Sequence, residues 1–379
     1  MSGEDDEFVL DESEQTMRPK DDAIHQQRIH AWHPVLDPVW VIVALLYLGV
    51  IMVPVGFKIE SLQDDVVEMK ITYDGVEGAP CSIGTNYSAG RTCILNFTAP
   101  KYMAPPILIH YELTDFHQNH RDYYRSRDDY QLRGKPGPSA ELERDRCKPL
   151  YKLGDLRLNP CGLIANTFFN DIITLVSGRG LSATPLVMRE DGIAWQSDID
   201  FQFAQPEGFA FEECPDACDE SCCTGEWECG SEGLPYVRSD GTCFRFVYPF
   251  DDEVQYLYET YPDIINPLEG VTNEHFIVWM RVATQPTFRK LYGWIDEPID
   301  EGTTLQFQVN ANFPVESFGG TKSLLVGTNM VFGGRNPYLG RVFYGVGFFC
   351  IIAGIFFALK HIFRPRKLAD SSYLHFKTE

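Results

Sequence analysis

The chain has 379 residues, enough for one large domain or two ordinary ones, and 44% of them are hydrophobic. Its formal charge of −22 argues against a nucleic-acid partner, because gripping phosphates calls for a basic face. The charge is uneven, with −7 over residues 1–38, +3 over residues 360–379 and −18 over residues 58–341, which describes a solvated surface.

Residues 1–20 are acidic and poor in apolar groups, the composition of a disordered tail. They lack the basic n-region and small-residue cleavage site of a secretory leader. Residues 26–36 (QQRIHAWHPVL) are too apolar for a free tail, and Asp37 and Pro38 suit the cap and first turn of a helix. Residues 39–57 (VWVIVALLYLGVIMVPVGF) carry no charge and read as a first membrane helix, in which Pro54 is tolerable. Residues 342–359 (VFYGVGFFCIIAGIFFAL) are a second uncharged run, 18 residues long. Lys360, His361, Arg364, Arg366 and Lys367 follow it at once, and short basic flanks stay cytosolic. A buried helix of a soluble domain is the alternative for each run.

Two spans with the C-terminus inside place the N-terminus inside as well. The expected organisation is a cytosolic tail over 1–37, a first span over 38–57, a luminal or extracellular domain over 58–341 with a cysteine-rich insertion at 207–243, a second span over 342–359 and a cytosolic tail over 360–379. Two features agree with this. Asn86 and Asn96 each head an N-glycosylation sequon inside the loop domain. Ten of the eleven cysteines also lie there, an even number, as an oxidising compartment favours.

The loop domain reads as β-rich, an antiparallel sandwich held by disulfides. Residues 304–310 (TLQFQVN) alternate apolar and polar with the period of a half-buried strand. Residues 67–73, 107–113, 244–248 and 276–282 look similar, whereas residues 166–175 read as helical. Turn-rich insertions at 135–139 and 207–241 interrupt the strands.

Pairing Cys147 with Cys161 closes a loop of 15 residues, and Cys81 with Cys93 is comparable. Cys214, Cys218, Cys222, Cys223, Cys229 and Cys243 form a cluster without the C-x2-C knuckles of common zinc modules, so three further disulfides are favoured over a metal. Their pairing stays open. His117 and His120 sit in HQNHRD, which is either a metal or acid–base site lacking an evident third ligand or a surface segment, and the surface reading is preferred. With no phosphate loop, nucleophile elbow or H-E-x-x-H pattern, no catalytic site, cofactor or metal is expected.

Six blocks carry a resemblance: QQRIHAWHP at 26–34, YELTDFHQNHRDYYRSRDDYQLRG at 111–134, NPCGLIANTFFND at 159–171, GIAW at 192–195, FIVWMRVATQPTFRKLY at 276–292 and FPVESFGGTKSL at 313–324. In this order, on a two-span plan, they resemble the ligand-effect-modulator/cell-division-control family, the β-subunits of type-IV P-type ATPase phospholipid flippases. The resemblance implies a non-catalytic subunit that binds the ATPase, lets the pair leave the endoplasmic reticulum and supports aminophospholipid movement to the cytosolic leaflet. It implies a resting site at the endoplasmic reticulum, Golgi, endosome or plasma membrane, with membrane lipids as neighbours. Gln27, Arg28, Trp32 and Pro34 become candidate cytosolic contacts; Asn119, Arg121, Phe288, Arg289 and Tyr292 become luminal contacts or core. Gly345, Gly347 and Gly354 would either admit a neighbouring helix or simply reflect how common glycine is in membrane helices.

The chain departs from the family in places. Animal members have four cysteines in the first cluster, whereas this chain has Cys81 and Cys93 only, and the 214–243 insertion has no recognised counterpart. Asp115 and His117 stand where Asn and Tyr are expected. The competing reading is a subunit of a two-span trimeric ligand-gated channel, but neither span offers the polar lining a pore requires.

Overall fold

The fold is that of a computed structural model, which describes residues 20–29, 38–84, 90–136, 139–178, 185–214, 233–239, 241–250, 252–329 and 336–365. The chain divides into two units, Met1–Glu60 with Tyr338–Glu379, and Ser61–Pro337.

In the first unit, two apolar helices run over Pro38–Asp64, which continues past the unit's edge, and Pro337–Phe363. Both are longer than the uncharged runs, and both are long and apolar enough to cross a membrane. They pack antiparallel along a glycine seam. A β-carbon added to Gly56 would lie 2.6 Å from the backbone nitrogen of Tyr344, and one at Gly49 would lie 2.7 Å from the carbonyl oxygen of Gly347. Gly340 and Gly354 face the same seam, against Gly56 and Leu46. Gly347 and Gly354 therefore do admit a helix, and it is the chain's own first one. Gly345 lies off the seam, with nothing within 4 Å of its absent β-carbon. Phe57 stacks on Tyr344, and Arg341 reaches Glu60 at 3.3 Å.

The second unit contains thirteen described strands. In chain order they are β1 (Glu68–Asp74), β2 (Arg91–Thr98), β3 (Ile107–Leu113), β4 (Lys152–Leu153), β5 (Leu156–Asn159) and β6 (Ile172–Ser177). β7 (Ala210–Cys214), β8 (Leu234–Val237), β9 (Cys243–Val247), β10 (Val254–Tyr256), β11 (Phe288–Ile295), β12 (Thr304–Ala311) and β13 (Lys322–Thr328) follow. One antiparallel sheet has the order β1-β13-β3-β11, and a second has the order β2-β12-β6. Alternation decides which side chains each sheet buries. Ile109, Tyr111, Leu324 and Val326 from the first meet Leu95, Phe97, Phe307 and Val309 from the second in one apolar core. This is the sandwich-like arrangement expected. A parallel pair, β10 on β5, is the local exception, and β7 and β8 of the insertion pair with β9, which leads out of it, in a small sheet.

Two segments differ from the sequence reading. Residues 276–282 were expected as a strand, yet Glu274–Met280 is a helix. The Asn273 side chain accepts from the backbone N–H of Phe276 and caps it, and Phe276, Ile277, Trp279 and Met280 form a buried helical stripe. Residues 166–175 were expected as helix, but only Ala165–Thr167 turns, as a 3₁₀ segment, and the β-branched run that follows becomes β6.

Cys81–Cys93 and Cys147–Cys161 are bonded as expected, each with its Cα atoms 5.5 Å apart. Cys243 is also disulfide-bonded, and it sits in register with Cys214 across β9 and β7. Cys218, Cys222, Cys223 and Cys229 lie outside the described residues. Cys350 is free and buried.

Candidate partner-facing surface

The outward face of the four-stranded sheet carries charge where its inward face carries core. Glu68 and Lys70 on β1, His110 and Glu112 on β3 and Arg289 on β11 share it, and Arg289 lies in register with Glu112. Arg289 donates from Nε to Glu112 Oε2 at 2.7 Å and from Nη1 to Glu68 Oε2 at 2.9 Å. Lys70 takes the other Glu112 oxygen. Glu112 is only 5% exposed, so burial pushes its carboxyl up, but the hydrogen bonds from Lys70 and Arg289 outweigh that and hold it below the usual range. Burial and then the Arg289 charge push His110 down to about 4.

A pH dependence follows from these two groups. The folded chain withholds from His110 a proton that an unfolded chain accepts below about pH 6.5, so stability should fall as pH drops from there toward 4. Glu112 adds a further loss at lower pH, as its depressed folded pKa is crossed. Arg289→Ala should move the His110 titration upward, read by NMR of the imidazole protons. Flat thermal stability between pH 7 and 5 would contradict this, the window being set by the ordinary and shifted histidine values.

Beside this face, blocks 111–134 and 276–292 clamp together. Phe116 N–H donates to the Pro286 carbonyl at 3.1 Å, Ala283 N–H to Gln118 Oε1 at 2.9 Å, and Asn119 Nδ2 to the Thr284 carbonyl at 2.8 Å. Asp115 turns the chain at φ +58, a left-handed conformation that both Asn and Asp tolerate, so Asp can stand where Asn was expected. The Phe116 ring lies 5.3–6.3 Å from those of Phe318, Tyr123, Trp279, Phe313 and Phe288. Trp279 Nε1 donates to the Ile164 carbonyl at 2.8 Å and ties in block 159–171. Arg281 lies 3.9 Å from the centre of the Trp195 ring, from block 192–195, and also donates to Asp198.

The candidate contacts therefore separate. Asn119, Arg121 and Arg289 are exposed, while Phe288 and Tyr292 are core, at 8% and 6% exposure. His117 and His120 are exposed, and among the described residues no three-ligand metal cluster forms. Asn96 stands exposed on β2, an edge strand, while Asn86 lies outside the described residues. Gln27 is described and Arg28 pairs with Asp21; Trp32 and Pro34 lie outside the described residues.

Two buried lysines escaped the sequence reading. Lys322 is fully buried, with Asp171 at 2.8 Å, Asp74 at 3.2 Å and the Phe313 carbonyl at 2.6 Å. Lys290 donates to the carbonyls of Val278, Trp279 and Arg281, at the electronegative end of the Glu274–Met280 helix, and burial pulls its pKa well down. A signal was there. Lys290 shares strand parity with Phe288 and Tyr292, and Lys322 with Leu324 and Val326, so each points inward with its apolar neighbours.

Comparison with known protein families matches residues 60–367 to the model of the LEM3 (ligand-effect modulator 3) family/CDC50 family. The chain belongs to this family. Among similar proteins, Cell cycle control protein 50A of Bos taurus is 32% identical over 349 residues, which cover 90% of this chain and 88% of that protein. ALA-interacting subunit 3 of Arabidopsis thaliana is 34% identical, covering 94% and 90%. Phospholipid-transporting ATPase accessory subunit CRF1 of Saccharomyces cerevisiae is 28% identical, covering 96% and 90%. Five of the six blocks lie within the matched residues 60–367 and share one unit of the structure; the block at 26–34 precedes the match, and its residues 30–34 lie outside the described residues.

Proposed function

We propose that this chain is the accessory subunit of a phospholipid-transporting P-type ATPase, itself non-catalytic. The observation that carries the reading is the near end-to-end likeness to a yeast protein named as such an accessory subunit. The same family membership speaks against the trimeric-channel alternative. In this reading both apolar helices span the membrane, with the termini cytosolic and the β-rich domain luminal or extracellular. The subunit accompanies its ATPase out of the endoplasmic reticulum and supports aminophospholipid movement to the cytosolic leaflet. Asn119, Arg121 and Arg289 touch the ATPase's outer loops, Phe288 and Tyr292 hold that surface from beneath, and Gln27, Arg28, Trp32 and Pro34 meet its cytosolic side. The exposure of the first three and the burial of the next two support this division.

Purification in mild detergent should bring down a large ATPase in stoichiometric amount. Trp32→Ala should weaken that association while leaving glycosylation intact, since a tail substitution leaves the β-rich domain folded. A homotrimer that passes ions, or a Trp32→Ala chain that misfolds on its own, would overturn the reading.

A further inference from the structure

A cleft of about 430 Å³ opens in the β-rich domain between the turn at Gly134, the end of β5 and the turn at Pro249 and Phe250. The accessory role gives it no task. Its volume falls within the range of small-molecule sites, roughly 300–1,000 Å³. Asn159 lines it from the end of β5, with its Oδ1 closed off beneath the surface. Glu143 lines it too, one oxygen fixed by Gln131 Nε2 at 3.0 Å, and Gln131 is held in turn by the Cys161 N–H at 2.8 Å. Lys135 and Arg157 bring two positive charges, and Glu143 and Glu207 bring two carboxylates. At the rim, Phe250 holds its ring 72% exposed on a backbone at φ +59, a conformation bulky residues avoid. Strain of this kind, about 1–3 kcal/mol, collects where a side chain has to be presented.

We propose that this cleft binds a neutral carbohydrate, with the apolar face of a sugar ring on Phe250 and its hydroxyls on Glu143 and Arg157. The lining sorts the ligand classes. An anion would meet two carboxylates, and a cation would meet Lys135 and Arg157. A purely apolar ligand would strip water from these four charged groups and return no hydrogen bond to any of them. A hydroxyl donates to Glu143 and accepts from Arg157, and a pyranose offers several hydroxyls around one flat apolar face. The aromatic ring supplies the stacking surface and the fixed polar groups set orientation.

Saturation-transfer NMR on the detergent-solubilised full chain, with neutral mono- to trisaccharides of glucose, mannose and N-acetylglucosamine as probes, tests this. Transfer to the ring protons of at least one sugar is expected. Phe250→Ala should weaken that binding about tenfold, equivalent to ~1.4 kcal/mol, with unchanged thermal melting because the ring is exposed. Arg157→Gln on β5 should weaken it as well. Absence of transfer from every sugar, binding unchanged in both variants, or a preference for inorganic phosphate would overturn the proposal.

Discussion

Lys322→Met is expected to cost the β-rich domain about 3–5 kcal/mol, because it strands buried carboxylates without their cation. Asp171 retains good partners. Its Oδ1 accepts from the backbone N–H groups of Asn312 and Phe313 at 2.5 and 2.6 Å, and its Oδ2 accepts from the Tyr73 hydroxyl at 2.8 Å. Burial and then the Asp171 charge hold the Tyr73 pKa well up, so that hydroxyl stays a donor. Asp74 is worse placed, with Oδ1 on the Gly75 N–H and, among the described residues, Oδ2 reached by Lys322 alone. Urea unfolding measures the loss, and adding Asp74→Asn should recover part of it, since neighbours in one network are not additive. A loss within about 0.5 kcal/mol, the size of an ordinary surface change, would mean the cation is not what holds these carboxylates.

Cys161→Ser should cost about 3 kcal/mol, the chain-entropy value for a loop of about 15 residues. The effect is local as well as entropic. Cys147 and Cys161 are fully buried and pack with Leu158, Leu150 and Tyr151 in a small cluster of their own. The Cys161 N–H also fixes Gln131, so loosening this loop should disturb the hydrogen bond from Gln131 to Glu143. Urea unfolding under non-reducing conditions reads the change. Mass mapping that recovers Cys147 and Cys161 as free thiols would remove its basis.

Much of the scaffold is legible in the residues because period-two alternation and long uncharged runs are local patterns. β3 has the expected bounds, β12 runs one residue longer, and β1 and β9 are each shifted by one residue. The helix at Glu274–Met280 was missed because FIVWM is apolar throughout, so its period is ambiguous, and the Asn273 cap decides the matter. The Lys322 centre was hidden for another reason: Asp74, Asp171 and Lys322 are far apart in sequence, and only the sheet order brings them together. Candidate contacts could not be told from core by residue type. Phe288 and Arg289 are sequence neighbours on opposite faces of β11.

The glycine seam leaves the paired apolar helices with a rough exterior. Their thinnest flanks are consumed in gripping one another, and Phe349, Ile352 and Phe356 project outward from the second helix. A third rod laid alongside would ride on those bulky groups at ordinary helix spacing, roughly 8–10 Å between axes. Gly345 is the one shallow notch that glycine leaves on that helix's outer side, a place where such a visitor could lock its height.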